Sequence, residues 1–249
     1  MRLPSNYPRM ALDALLLRDS AYTEMRDGNK PFVRGMIFIA ILGVAIALAG
    51  IMGHLLEWSV APNLSAIKET VWEHITKMPW YEGFSGPPAG VLESIRDQYE
   101  YGWRIANFFA LNPWRSAMTL ISTPLGLLVG WLIYGLLAHL YSRMLGGEGS
   151  FAQTYGCVAL ATSAQALRLA NLVPYVRVGS IVAVWGLLCN FLALKAAHKL
   201  SGGRAFWAAI LPVVTLWLLT LLLAVAMVLI FGSLLPGIVE QLTGMGGIQ

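Results

Sequence analysis

Residues 205–231 read AFWAAILPVVTLWLLTLLLAVAMVLIF, with no charged side chain. A helix needs about 20 apolar residues to cross a hydrocarbon core of about 30 Å, so this stretch alone predicts a transmembrane helix. Pro212 sits one to two turns in, where a membrane helix tolerates a kink. Working outward, charges bracket four more runs. Arg34 and Glu57 enclose 22 uncharged residues, Arg115 and Arg143 enclose 27, Glu148 and Arg168 enclose 19, and Arg177 and Lys195 enclose 17. The runs lack the two-residue alternation and the ~10-residue length of barrel strands. The sequence thus predicts an all-α polytopic membrane protein with five spans, at about 35–56, 117–141, 151–171, 177–197 and 206–232. The 249-residue composition agrees: 57% hydrophobic, 12% charged, mean hydropathy +0.64, against roughly a quarter charged in soluble domains.

The third span is the most polar. Gln153, Thr154, Thr162, Ser163 and Gln165 predict that neighbouring helices, rather than lipid, shield it. Gly126 and Gly130 in the second span, and Gly179, Ala183 and Gly186 in the fourth, are small residues of the kind that let helix backbones approach, within the bundle or alternatively at a dimer face. Cys157 and Cys189 lie inside apolar runs and read as buried thiols rather than a disulfide framework.

Residues 1–34 hold Arg2, Arg9, Arg18, Arg26, Lys30 and Arg34 before any long apolar run. No cleavable signal is expected, and the first span acts as its own signal. Counting basic residues in short loops favours an N-terminus on the inner side of the cytoplasmic membrane and a C-terminus outside. The net charge of +4 therefore reflects orientation, and nucleic acid is not an expected partner. Within residues 8–27, Met10, Ala14, Leu17, Ala21 and Met25 share one helical face. They predict an amphipathic helix on the inner membrane surface, or alternatively one packed on the protein's own loops. The domain division is 1–34 as a cytoplasmic segment and 35–249 as the transmembrane domain.

The outer loop, 57–116, holds Trp58, Trp72, Trp80, Trp103 and Trp114. Leu64, Ile67, Val71, Ile75 and Met78 predict one amphipathic helix. A breaker stretch, GFSGPPAG at 83–90, follows. Val91, Ile95 and Tyr99 then predict a second helix. Tryptophan and tyrosine favour the membrane interface, and a helical hairpin lying there, or docked on a partner, follows.

Two turns carry a family pattern. HLYSRMLGGEGSFAQTYGCVAL (139–160) contains Gly146, Gly147, Gly149, Ser150 and Phe151 as a tight turn re-entering the membrane. VWGLLCNFLALKAAHKLSGGRAFWAAILP (184–212) contains Lys195, His198, Lys199 and Arg204 as a basic turn before the last span. This pattern resembles the Yip1-domain family, whose prokaryotic members carry a GG-x-GSF turn and a later LK-xx-H-x-LS-xx-[KR]A turn. The resemblance covers about residues 117–232. It implies a five-helix bundle with a cytoplasmic N-terminus and brings no catalytic residues. Eukaryotic members act in vesicle traffic and associate with Rab-type GTPases, and no residue here carries that association over. Many members place a proline early in the third span, where this chain reads ATSAQAL, so this helix is expected to bend differently.

No chemistry-bearing motif emerges elsewhere. His54, His74, His139 and His198 show no close metal-ligand spacing. His139 and His198 fall near inner span ends and, with Glu148, form a conceivable metal or proton site. No span carries a charge near its centre, which weakens a coupled transporter. No cofactor or catalytic residue is expected. The expected partners are the lipid bilayer and other integral membrane subunits, or a second copy. The function expected is a non-catalytic accessory or scaffold subunit, with a self-standing membrane organiser as the alternative.

Overall fold

The computed structural model describes residues 7–60, 64–79, 90–109, 113–173 and 175–245, with the backbone alone at 60, 90–92, 109, 113–116 and 233–245. The described residues are predominantly helical, without strands. In chain order the helices are α1 (Tyr7–Leu15), α2 (Asp19–Asp27), α3 (Pro31–Val60), α4 (Leu64–Thr76), α5 (Gly90–Phe109) and α6 (Pro113–Met144). They continue with α7 (Phe151–Ala161), a 3₁₀ segment (Thr162–Leu172), α8 (Gly179–His198) and α9 (Gly202–Met245). Four are long and apolar enough to cross a membrane: Pro31–Ser59, Ala117–Met144, Gly179–His198 and Gly202–Gly232.

The third expected span is a correction to the sequence reading of five like helices. Its first half is α7, an 11-residue α-helix, and from Thr162 it tightens to 3₁₀ geometry. The cause is local. The Thr162 hydroxyl donates to the Ala159 carbonyl at 2.6 Å, and its N–H reaches back to Ala159 and Leu160. Such back-bonding competes with the regular ladder and bends the chain without a proline. Thr154 to Ala161 are all buried, which bears out the expectation that protein, not lipid, shields this segment.

The chain divides into two compact units. The first comprises residues 1–43, 124–167 and 179–249, and the second 44–123 and 168–178.

In the first unit, α1 and α2 form a hairpin in place of the single expected helix. The break lies at Leu16–Arg18, with Leu17 at φ 59°. The expected face is buried at Met10, Ala14, Ala21 and Met25, joined by Tyr7 and Tyr22. It packs on α7 and α8 rather than on a membrane surface. The carbonyls left open at the end of α1 find side chains from other helices. Trp185 Nε1 donates to Leu15 at 2.7 Å, Cys189 Sγ to Ala14 at 3.6 Å and Tyr22 Oη to Ala14 at 3.4 Å. Burial pushes the Tyr22 phenol far above its ordinary range, so its hydroxyl stays protonated and able to donate. Cys157 Sγ donates to the Tyr22 carbonyl, and both cysteines are buried and free.

An aromatic row continues this core. Phe32, Trp131 and Tyr155 lie with ring centroids 5.1–5.4 Å apart, and Phe151 stands 4.3 Å from Tyr155. Trp131 Nε1 donates to the Tyr155 carbonyl and Tyr155 Oη to the Leu132 carbonyl. Helix α9 is tied by Tyr134 Oη to the Ala209 carbonyl at 3.0 Å, in the turn that Pro212 opens, and by Tyr141 to Thr215 at 2.7 Å.

Close helix approach occurs at other glycines than those expected. A Cβ on Gly126, Gly130 or Gly179 would meet nothing within 4 Å. One on Gly156 would lie 2.6 Å from Pro31 Cβ and 3.0 Å from its carbonyl oxygen. The Gly126–Gly130 pattern therefore reads as exposed surface, and the α3–α7 crossing depends on Gly156.

In the second unit, Glu57 is only 2% exposed. It accepts the Tyr175 N–H at 2.8 Å and pairs with Arg177 at 2.9 Å. Helices α4 and α5 meet through side chains. Lys68 pairs with Glu100 at 2.6 Å, Tyr99 Oη donates to the Lys68 carbonyl, and Trp72 and Tyr99 lie 4.9 Å apart. The Lys68 bond holds the Glu100 carboxyl below its ordinary range.

Alanine at two glycines separates these roles. Helix propensity favours Ala over Gly by roughly 0.5–1 kcal/mol, whereas overpacking costs about 1–3 kcal/mol. Gly156→Ala should lower the detergent melting temperature, and Gly126→Ala should leave it unchanged or raise it.

Candidate functional site

The two motif turns meet in the first unit, and His198 is the hinge of their contact. Gly146, at φ +87°, reverses the chain after α6, a conformation that suits glycine. The Gly147 N–H then bonds the Ser142 carbonyl at 2.8 Å. A Cβ on Gly147 would lie 2.7 Å from His198 Nδ1, and one on Gly149 2.4 Å from the Ala197 carbonyl oxygen. Neither position has room for a side chain. Ser150 caps α7 in a reciprocal capping box with Gln153, satisfying donors that a helix start leaves open.

His198 is 1% exposed. Its Nδ1 accepts the Gly149 N–H at 3.1 Å, and its Nε2 lies 2.7 Å from Thr154 Oγ1. A ring nitrogen that accepts an amide hydrogen carries no proton, so the network assigns the neutral Nε2–H tautomer. Thr154 therefore accepts from His198. It donates to the Ser150 carbonyl at 3.0 Å and keeps a second lone pair for His139 Nδ1 at 2.9 Å. The two imidazoles, 5.4 Å apart, are thus joined through one hydroxyl.

This geometry speaks against a metal held jointly by His139, His198 and Glu148. His139 and His198 do approach, but Thr154 occupies the space between them and both facing nitrogens are engaged. Glu148 lies in a separate cleft and offers its N–H, not its carboxylate, to the His198 carbonyl at 3.3 Å. Among the described residues, no three His, Cys, Asp or Glu side chains are grouped to hold a metal.

The end of α8 also anchors α2. Arg26 donates to the Ala196 carbonyl at 2.9 Å while gripping Asp27 through Nε and Nη2. That bond holds the Asp27 carboxyl below its usual range. Lys195 stands 4.0 Å from Asp19. Arg204 reaches across to the other turn, with Nη1 3.3 Å from where a Gly146 Cβ would sit. Phe151 is half exposed beside His139. All eight motif residues therefore sit at or beside one junction. The sequence reading missed Thr154 and Arg26 as its partners. Thr154 was visible only as a polar residue in an unusually polar span.

The outer-segment tryptophans whose side chains are described, Trp58, Trp72 and Trp103, have different surroundings. Trp72 and Trp103 flank Tyr99 inside the α4–α5 hairpin, Tyr99 lying 4.9 Å from Trp72 and 6.0 Å from Trp103. Arg96 lies over the Trp72 ring. Trp58 is exposed. Trp80 lies outside the described residues, and of Trp114 only the backbone is described, in the first turn of α6.

Removing one member of the junction strands its partners, at about 1–3 kcal/mol per buried group. His198→Ala and Thr154→Val should each lower the melting temperature, and the double variant should lose less than the two losses combined. Nitrogen NMR of histidine-labelled protein should show His198 Nδ1 as the unprotonated ring nitrogen.

A model of the Yip1 domain matches residues 13–225. No curated protein and no solved structure matches the chain. The match spans both motif turns, the α1–α2 region from Asp13 onward and the helices between, and the chain belongs to the Yip1-domain family.

Proposed function

We propose that this Yip1-family membrane protein is a non-catalytic accessory or scaffold subunit of a larger complex in the cytoplasmic membrane. One observation carries the reading. Helix α5 has two apolar faces on opposite sides. Tyr99 closes on Trp72 of α4, with Trp103 beside it on α5, whereas Tyr101, Ile105 and Phe108, spaced by four and three residues, are 65%, 43% and 63% exposed. A helix in an extramembrane loop needs one apolar face to hold its hairpin. A second, aromatic-rich face suits an interface core, where Tyr and Phe are enriched. The turn residues support a non-catalytic role, because their polar groups are already bonded to one another.

The orientation is part of this proposal. Residues that the positive-inside count puts on one face meet each other: Glu57 with Arg177, and the 147–150 turn with His198. Residues 151–172, between those two faces, are then read as a fifth passage. The N-terminus is then cytoplasmic and the C-terminus outside.

Two measurements test this. Affinity purification of the tagged full chain in mild detergent should retain a stoichiometric integral membrane companion, and Tyr101→Glu with Ile105→Glu should release it. A monomer or homodimer without companions would defeat the subunit reading in favour of a self-standing organiser. For orientation, Cys157 and Cys189 are first replaced by alanine. An impermeant maleimide should then label Ser59→Cys in intact cells and Ser201→Cys only after permeabilisation.

A further inference from the structure

We infer that the second unit holds a binding site for the phosphate of a membrane phospholipid headgroup, built around Arg168. A cavity of about 150 Å³ lies among α3, α6 and the 3₁₀ segment, lined by Arg168, Arg177, His54, Thr119 and Thr123. Its charge is unbalanced. Glu57 is the one carboxylate paired to this region among the described residues, and it is committed to Arg177 and the Tyr175 N–H. Arg168 is half-buried, and no described carboxylate pairs with it. Two guanidiniums against one carboxylate leave one positive charge, the complement of a phosphodiester monoanion.

Depth favours the same ligand. Gly50 and His54 lie in the last turns of the span that ends at Ser59, and Thr119 and Thr123 in the first turns of the span that starts at Ala117. Those turns stand at the headgroup level of a bilayer. Charged side chains at such positions face a partner or a polar cavity rather than lipid tails, and basic pockets between membrane helices take anionic headgroups. Arg168 supplies a planar fork of donors that matches phosphate. Arg177 retains donors beyond its carboxylate pair, and the Thr123 hydroxyl adds another. The excess charge selects phosphatidylglycerol-type lipids over zwitterionic ones, whose own ammonium neutralises the phosphate.

The experiment uses the full chain in detergent, delipidated and then titrated with phosphatidylglycerol, phosphatidylcholine or inorganic phosphate, with binding read by native mass spectrometry. Phosphatidylglycerol should bind, and Arg168→Gln should weaken it on the order of tenfold or more, the loss expected for a charge-assisted bond. Thr123→Val should weaken it severalfold, which keeps the test open if Arg168→Gln does not fold. Arg96→Gln, on the α4–α5 hairpin, should change little. Binding of inorganic phosphate with equal sensitivity to Arg168→Gln would keep the phosphate site but overturn the lipid assignment. Equal binding by wild type and both site variants, equal losses in Arg96→Gln, or no binding of either anion would overturn the site.

Discussion

The fold of the first unit depends on one hydrogen bond, from the Gly149 N–H to His198 Nδ1. It fixes the imidazole's tautomer. The tautomer fixes Nε2 as a donor, and the donor fixes how Thr154 spends its single proton. Each step leaves one satisfied arrangement, which is what a buried polar network must reach to avoid stranded groups. The same contact sets the backbone of two turns at once, because neither Gly147 nor Gly149 leaves space for a side chain. Once α8 ends there, its Ala196 carbonyl stands where Arg26 reaches it. The N-terminal hairpin thus docks on a helix end that the turn contact has already placed.

A polar junction suits this setting. Lipid tails are as apolar as leucine side chains, so helices in a bilayer gain little by hiding hydrophobic surface from one another. Specificity comes instead from close backbone approach and a few directional bonds. Helix α9 shows the contrast. It buries Ala205, Ala208, Ala209 and Pro212 in its first turns and is largely exposed from Val213 to Gly232, and Tyr134 and Tyr141 tie it down at two points. Its length and apolarity place it in the membrane, but they say little about its rotation.

This difference explains what could be read from the sequence. Charge spacing found the four described helices that are long and apolar enough to cross a membrane, because the bilayer imposes a length on any uncharged run. It did not foresee that the third span tightens to 3₁₀ geometry, since Thr162 back-bonding acts over three residues and leaves no trace in hydropathy. The face Met10–Ala14–Ala21–Met25 was legible as a face, but what it buries against was not. Periodicity reports that a stripe is apolar, and bilayer and protein both accept an apolar stripe. The motif turns were legible as turns. That they meet through His198 required the three-dimensional path of α7 and α8, and Thr154, their shared partner, belongs to neither motif. Gly126 and Gly130 had the right spacing for close packing, yet the crossings fell at Gly156 and its neighbours, because spacing within one helix does not specify the partner helix.

The division of labour within the chain follows. His198, Thr154, Gly149 and Ser150 bond inward, so the turns that mark the family serve to build the fold and have little left to offer a partner. The aromatic residues of the outer segment divide between two tasks. Tyr99 and Trp72 hold α4 to α5, while Tyr101, Ile105 and Phe108 are exposed on the opposite side of α5. A chain could keep every turn contact and change only those outward residues without disturbing the junction. On the proposed subunit reading, the segment between α3 and α6, where no family motif lies, is the part of the chain free to vary with the partner.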